Sequence, residues 1–360
     1  MINNIFNIFK YKINSKKISI IVTGMYFLFH LFVVINYECW RDESQAWLIA
    51  KNLSYIDIFK ELCVEGHPCL WFLLIAPFAK LGMSFYYFNL ISLSLCTIAV
   101  YILLRYSPFS FLVNIAIIFS SMFLYYNPVV CRSYSMISLL VVILAKEFNN
   151  RENHPILYSL LISLLIQSHI VIYGLCFGLM VELIIFLARN NKISSKHRII
   201  SVLLPILSSI LLFIELIPRK NYPAYTSITI TSVIDNLNIN WIIRKLNSIG
   251  YVSWGIRNKV IIIAILIIFL ILSIMQIILI IKNDNHKFTN RILISFCAIG
   301  YYFAISILAY SSHSQLASIL MMTVVFSAWI ICENNEYPKH PTIVFLLLAS
   351  ALTFIPSQSI

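Results

Sequence analysis

Charged residues are scarce in this 360-residue chain: lysine, arginine, aspartate and glutamate together make up 11% of it, while 60% of its residues are hydrophobic. A soluble domain is usually about 25% charged and about 45–50% apolar. A chain with so little charge cannot cover its apolar surface in water, so its expected solvent is lipid. The composition therefore excludes a soluble enzyme, a nucleic-acid-binding domain and a secreted module held together by disulfides.

The sequence also lacks closely paired cysteines. It has eight cysteines, but no two of them form a C-x-x-C pair, which is the usual sign of a redox or zinc motif. Most lie in or beside apolar runs, which favours a role as small packing residues. The net charge of +12 is interpreted as a bias of the cytoplasmic loops next to anionic lipid, without a nucleic-acid partner.

Long apolar runs fill most of the chain, and a helix needs about 20 mostly apolar residues to cross a bilayer. Eleven runs are candidates: 18–37, 84–104, 109–126, 132–147, 156–169, 171–188, 199–217, 259–281, 292–311, 314–332 and 341–356. The stretch 156–188 fits either two short helices that turn at Gln167-Ser168-His169 or one long tilted helix. The shorter run 68–81 is expected to be interfacial or re-entrant. The predicted fold is one all-α polytopic bundle over 1–360, with about 11 transmembrane helices and no soluble domain.

The positions of lysine and arginine predict an orientation for this bundle. Four lysines in the segment 10–17 place the N-terminus in the cytoplasm, and alternation of the spans then leaves most basic residues of the short loops inside. Two external loops result. The first lies within 38–83 and carries interfacial helices. The second, 218–258, has apolar residues at helical spacing, which favours a helix lying on the membrane surface.

Two adjacent carboxylates, Asp42 and Glu43, lie just past the first span and open an amphipathic stretch that runs to about Leu62. Neighbouring residues of a helix face different directions, so at most one of the two acids points at a buried substrate. The other would orient it or face a second group. Asp42 with Gln45 also matches a capping box, so helix capping is the alternative interpretation.

Three further residues have side chains suited to chemistry: His67, Arg132 and His313, the last of which lies between the predicted spans 292–311 and 314–332. His67 precedes a proline that starts an apolar helix, where it is either a site residue or an interfacial histidine. Arg132 lies at a membrane edge, where it either snorkels to water or binds a lipid phosphate through its planar fork. The predicted topology puts all the candidate side chains on one face of the membrane: Asp42, His67, Arg132 and His313.

Together these patterns resemble the GT-C superfamily of integral-membrane glycosyltransferases. The matching motifs are Asp-Glu-x-Gln-Ala-Trp-Leu-Ile-Ala at 42–50, Gly-His-Pro-x-Leu-Trp at 66–71 and Arg-x-Tyr-Ser at 132–135. More closely, the chain is similar to the branch that contains the protein O-mannosyltransferases, the lipid A aminoarabinose transferase and many bacterial cell-envelope enzymes. The specific motifs cover about residues 38–150.

The resemblance implies a polyprenyl-phosphate sugar donor, a glycan, lipid or protein acceptor, and an active site on the external face of the bacterial inner membrane. The functional positions of the family fall on Asp42, with Glu43 beside it, as catalytic residues, and on Arg132, His67 and His313 as phosphate-binding residues. Tyr134 and Gln45, which belong to the same motifs, are expected to bind substrate. Relatives often carry an acid shortly before the arginine. Here Val130 and Cys131 occupy those positions, so a divalent-metal cofactor has no second loop carboxylate to support it.

The expected mechanism is direct transfer with inversion at the anomeric carbon. Nucleotide sugars do not occur outside the cytoplasmic membrane, so an external transferase needs a sugar carried on lipid. Asp42 is expected to be the general base. Arg132, with His67 or His313, is expected to stabilise the departing phosphate.

Other functions stay open on the sequence alone. A polysaccharide polymerase of the O-antigen type would place paired arginines in a large external loop, whereas segment 218–258 offers only Arg219-Lys220 and Arg244-Lys245. A lipid-glycan flippase or transporter would use polar residues near the bilayer midplane, for which Glu182, Gln167 and His169 are the candidates. A purely structural membrane scaffold would leave the acidic loop unexplained.

Overall fold

The computed structural model of the protein describes residues 15–65, 67–120, 122–217, 286–308 and 316–332. Within these ranges the regular structure is entirely helical. The α-helices are α1 (Lys16–Ile35), α2 (Arg41–Asn52), α3 (Tyr55–Glu65), α4 (Leu70–Lys80), α5 (Asn89–Tyr106), α6 (Phe111–Ile118), α7 (Tyr134–Glu147), α8 (Pro155–Ile166), α9 (Tyr173–Arg189), α10 (Ser195–Leu216), α11 (His286–Leu308) and α12 (Leu316–Cys332). Short 3-10 turns, Phe85–Tyr87 and Ile170–Ile172, lead into α5 and α9.

Among the described residues, four helical stretches are long and apolar enough to cross a bilayer: Lys16–Ile35, Phe85–Tyr106, Ile170–Arg189 and Ser195–Leu216. The first and last bury less than a third of their span against the rest of the protein. Their outward faces carry large apolar side chains, among them Phe32 on α1 and Leu207 on α10. Apolar residues on an outward face are suited to lipid and not to water. The protein is therefore a helical membrane protein.

These four stretches coincide with the predicted spans 18–37, 84–104, 171–188 and 199–217. The two-helix alternative for 156–188 is confirmed, because α8 and α9 are separate helices with the turn at Gln167-Ser168-His169.

Two other predicted spans are fully described: 132–147 contains α7, of 14 residues, and 156–169 overlaps α8, of 12 residues, and both helices are shorter than a typical span of about 20 residues. The predicted spans 292–311 and 314–332 are partly described. The predicted spans 259–281 and 341–356 and the surface helix in 218–258 lie outside the described residues. The total of about 11 spans therefore stays a prediction.

The run 109–126, predicted as a span, is not one continuous helix. The structure divides it into α6 and a π-helical turn, Met122–Tyr126. The carbonyl groups of this irregular backbone meet side chains of α1: the Tyr26 hydroxyl donates to the Phe123 oxygen at 2.5 Å, and His30 Nε2 lies 3.1 Å from the Leu124 oxygen. Non-helical backbone inside a bundle is tolerated where other groups satisfy it in this way.

The helices pack in a chain of neighbours. Helix α1 lies against α5, α5 against α7, and α7 against α8 and α12. Helix α8 packs on α10, and α9 packs closely on α11. Gly174 and Gly178 allow that last approach, because an added Cβ at Gly174 would lie 2.4 Å from the Cβ of Tyr301. Small residues four positions apart commonly let membrane helices come this close.

Candidate active site

Arg132 lies just before α7, and its guanidinium joins two segments that are distant in sequence. Its Nη1 donates to Oδ2 of Asp42 at 2.8 Å, and its Nη2 lies 2.8 Å from Nε2 of His67. The arginine side chain is only 14% exposed, whereas that of Asp42 is 63% exposed. Three residues singled out in the sequence thus meet in one cluster, which we call the Asp42–Arg132–His67 clamp. The carboxylate forms its open side.

The hydrogen bond from Arg132 determines the protonation of His67. Because a guanidinium can only donate, Nε2 of His67 must be the unprotonated nitrogen, and Nδ1 carries the hydrogen. Burial and the adjacent positive charge of Arg132 lower the pKa of His67 to about 3. His67 is therefore neutral at physiological pH. It orients the guanidinium and adds no positive charge to the clamp.

Two further aromatic rings, those of His169 and Tyr134, lie on the side of His67 in the clamp. The ring of His169, from the turn between α8 and α9, lies with its centroid 5.2 Å from that of His67. The ring of Tyr134, in the first turn of α7, is inclined by 29° to that of His169, and the two ring centroids are 6.2 Å apart. Burial, with His67 and Arg132 nearby, holds the pKa of His169 well below its usual range. Tyr134, which was predicted to bind substrate, therefore belongs to a buried cluster of rings with His67 and His169.

Glu43, next to the exposed Asp42, is completely buried and accepts four hydrogen bonds. Its Oε2 accepts from the backbone N–H of Trp40 at 2.7 Å and from the hydroxyl of Tyr37 at 2.8 Å. Its Oε1 accepts from the backbone N–H of Cys131 at 2.5 Å and from the side-chain amide of Asn89 at 3.2 Å. Burial raises the pKa of Glu43, and these four donors oppose the rise.

The four contacts give Glu43 a positioning role. Glu43 connects the start of α2, which carries Asp42, to Cys131, the residue before Arg132. It therefore sets the distance between Asp42 and Arg132. As the sequence predicted, the side chains of Asp42 and Glu43 face different directions. Asp42 contacts the guanidinium of Arg132, and Glu43 contacts the backbone before it.

The predicted capping box of Asp42 with Gln45 is wrong. Helix α2 begins two residues earlier than that pattern requires, so Glu43 is the residue that accepts from the backbone of the N-cap residue, Trp40. Gln45, predicted to bind substrate, is exposed on α2.

Sequence reasoning missed several residues of this site. Asn89 donates to Glu43 and to the Val129 carbonyl, and its own oxygen accepts from the Cys39 thiol at 3.0 Å. One signal was present, because an asparagine at the start of an apolar run needs buried partners. Cys131 had no such signal, since it contributes its backbone N–H.

The loop that carries His67 is hydrogen-bonded to the turn between α8 and α9. The backbone N–H of Leu70 donates to the Gln167 backbone oxygen at 3.2 Å, and the Cys69 thiol donates to the Gln167 side-chain oxygen at 3.4 Å. The Gln167 amide in turn donates to the Ser208 carbonyl of α10 at 2.8 Å. These contacts hold the loop of His67 against the turn after α8 and, through Gln167, against Ser208 in α10.

The lowered pKa of His67 gives the protein a predicted pH dependence of stability. Unfolded His67 takes up a proton as pH falls through about 6.5, while the folded residue stays neutral down to about pH 3. Between these values the unfolded state binds more protons, so the free energy of unfolding decreases as pH falls. We expect the thermal midpoint to decrease between about pH 7.5 and about pH 5, and to decrease less in His67→Gln, which still accepts from Arg132 but does not titrate.

The measurement is thermal unfolding of the purified protein in detergent at both pH values. His197→Gln, on the exposed side of α10, is the matched control and should keep the wild-type pH dependence. Identical pH dependence in wild type and His67→Gln would contradict the assignment.

The remaining predicted features of the site concern His313 and a metal. His313 lies outside the described residues. In the part of the chain that the structure describes, no group of three or more histidine, cysteine, aspartate or glutamate side chains is placed to hold a metal ion. A scan against protein-family models found no matching family, and searches of curated proteins and of solved structures found no match either.

Proposed function

We propose that the protein is a membrane glycosyltransferase that moves a sugar from a polyprenyl-phosphate donor to a hydroxyl group of a cell-envelope acceptor. The observation that carries this proposal is the Asp42–Arg132–His67 clamp, in which Arg132 is held 2.8 Å from both partners. An exposed carboxylate and a fixed guanidinium supply a base and a phosphate ligand side by side. The sequence motifs that resemble GT-C enzymes include all three residues.

A lipid-linked donor suits this arrangement of charge and apolar surface. Its polyprenyl chain would lie along the apolar exterior of the bundle, and its phosphate would bind the guanidinium, whose planar fork matches two phosphate oxygens. In our proposal this site is on the external face of the bacterial inner membrane. The GT-C architecture with about 11 spans belongs to the same proposal.

Donor binding would also release the base. In the structure, Nη1 of Arg132 is occupied by Asp42. A donor phosphate that takes this N–H would leave the Asp42 carboxylate free to accept a proton from the acceptor hydroxyl. His67 would keep the guanidinium oriented through Nη2 during the exchange. The order of events is then donor first and activation of the acceptor second.

The reaction balances with one base and one leaving group. The acceptor oxygen attacks the anomeric carbon, and its proton passes to Asp42. The bond between the anomeric carbon and the phosphate oxygen breaks, and its electron pair stays on that oxygen. The products are the glycosylated acceptor, with inverted anomeric configuration, and polyprenyl phosphate. Arg132 stabilises the negative charge that develops on the phosphate.

The other predicted site residues have different roles in the proposal. We assign Glu43 to positioning, because its completely buried carboxylate has four protein donors. Gln45 and Tyr134 remain candidates for contacts to the acceptor or the sugar, and His313 remains a candidate phosphate ligand.

Transport is less well supported than transfer. Of the polar residues that a carrier might use, Glu182 forms an ion pair with Arg151 at 2.6 Å, and Gln167 is bonded to Cys69 and Ser208. These residues are already engaged within the bundle. The polymerase alternative depends on segment 218–258, which lies outside the described residues.

The decisive experiment is a transfer assay. Purified protein in proteoliposomes would be given radiolabelled undecaprenyl-phosphate hexoses and pentoses, with a membrane extract of the source cells as acceptor. We expect label to move from the lipid to the acceptor with release of undecaprenyl phosphate. Movement of intact donor across the bilayer without transfer of the sugar would refute the proposal in favour of a carrier.

Arg132→Ala is expected to impair use of the donor. Hydrogen bonds to charged groups contribute about 1.5–3 kcal/mol, so the KM for the donor should rise about 10-fold to 100-fold. The donor KM of Arg132→Lys should lie between those of wild type and Arg132→Ala, since lysine keeps the positive charge but lacks the planar fork of the guanidinium. Arg189→Ala, at the exposed C-terminal end of α9, is the matched control. An unchanged donor KM in Arg132→Ala would argue against phosphate binding at this residue.

A further inference from the structure

Glu215, in the last turn of α10, is a buried acid that the clamp does not use. It is 4% exposed, yet neither of its carboxylate oxygens has a hydrogen-bond partner in the described part of the chain. The carboxylate lies beside the thiol and backbone amide of Cys69 without reaching hydrogen-bonding geometry. The thiol proton of Cys69 is instead donated to Gln167. Because burying a polar group without partners is costly, this acid needs an explanation.

The position of Glu215 places it at the same end of the bundle as the clamp. Cys69 follows His67 by two residues, so their Cα atoms lie within about 7 Å of each other. The same short loop therefore contacts Arg132 through His67 and adjoins Glu215 through Cys69. A ligand held by its phosphate at Arg132 would need to extend only across this loop to reach the acid.

We propose that Glu215 binds hydroxyl groups of the donor's sugar ring. This inference rests on the proposed function, because it requires the donor phosphate to bind at Arg132. A carboxylate has two oxygens that accept hydrogen bonds, and two neighbouring hydroxyls of a sugar ring present donors at matching spacing. Such hydroxyls would supply the partners that Glu215 lacks. Glu215 would then determine which sugar is accepted, while Arg132 binds the phosphate that all donors share.

The test compares donors with and without a sugar. The probes are undecaprenyl phosphate and a panel of undecaprenyl-phosphate hexoses and pentoses, and their affinities are measured for protein in lipid nanodiscs. Wild type should bind at least one sugar-linked donor more tightly than undecaprenyl phosphate. Glu215→Ala should reduce that preference about 10-fold or more, from the loss of hydrogen bonds to a charged group, and leave the affinity for undecaprenyl phosphate unchanged.

Two variants keep the result interpretable. Glu215→Gln has nearly the same shape and one remaining oxygen acceptor, so it should fold normally and lose part of the preference. It decides the question if Glu215→Ala proves unstable in thermal unfolding. Glu152→Gln, a partly exposed acid in the loop before α8, is the matched control and should behave as wild type.

The outcomes separate the two proposals. If Glu215→Gln and Glu215→Ala keep the full preference, or if wild type prefers no sugar-linked donor, the inference about Glu215 is overturned and the phosphate site stands. If wild type does not bind undecaprenyl phosphate, or if Arg132→Ala binds it equally well, the proposed function itself is overturned, and the inference with it.

Discussion

Replacing Asp42 by asparagine is expected to abolish sugar transfer while leaving the fold and donor binding intact. The asparagine oxygen can still accept a hydrogen bond from Arg132, so the geometry of the clamp is retained. The amide cannot take a proton from the acceptor hydroxyl, however. General-base catalysis usually contributes about 10²-fold to 10⁴-fold, and the rate of transfer should decrease by that amount. Because Asp42 is 63% exposed, stability should change by no more than about 0.5 kcal/mol.

The measurement is the initial rate of label transfer in proteoliposomes at saturating donor, together with the donor affinity and the thermal midpoint of each variant. Asp57→Asn is the matched control, because Asp57 is an exposed acid on the adjacent helix α3, paired with Lys60 at 2.7 Å. It should transfer sugar at the wild-type rate. Transfer by Asp42→Asn at the rate of this control would eliminate Asp42 as the base.

Much of the fold follows from hydropathy, because a bilayer-spanning helix is specified by its own composition. The spans that match α1, α9 and α10 were predicted within a few residues on this basis. The break inside 109–126 was not, since that run is apolar throughout. Its irregular backbone depends on Tyr26 and His30 of α1, about a hundred residues earlier in the chain. The residues of the run 109–126 therefore contain no signal of partners that lie so far away in the sequence.

Some residues of the candidate site could also be predicted from the sequence, and others could not. Asp42, His67 and Arg132 were identified together because each belongs to a motif, and the structure brings all three into contact. The environment of Glu43 was not predictable, because two of its four donors are backbone N–H groups that carry no residue identity. Glu215 has no motif at all: it is one acid near the end of an apolar helix, and only its burial makes it conspicuous.

Glu43→Ala is expected to destabilise the protein strongly, in contrast to substitution of its neighbour Asp42. The change leaves four donors without an acceptor: the buried Cys131 backbone amide and Asn89 side-chain amide, and the partly buried Trp40 backbone amide and Tyr37 hydroxyl. Each unpaired buried donor costs about 1–3 kcal/mol, so the two buried donors alone should cost about 2–6 kcal/mol, and the two partly buried donors add to this loss. Since whole domains are stable by about 5–15 kcal/mol, much of the protein should fail to fold.

The comparison of Glu43→Ala with Asp42→Ala tests this role, because the two acids are adjacent in sequence and differ mainly in burial. We expect Asp42→Ala to keep the wild-type thermal midpoint in detergent and to lose activity, and Glu43→Ala to lose folded yield. Glu43→Gln should be intermediate in stability: one oxygen can still accept from Cys131 and Asn89, while its NH₂ group faces the Trp40 N–H, which also donates. A Glu43→Ala protein as stable as Asp42→Ala would show that the four contacts do not hold α2 to the segment before Arg132. In that case the distance between Asp42 and Arg132 would have to be set by the ion pair alone, which at an exposed carboxylate contributes only about 0–1 kcal/mol.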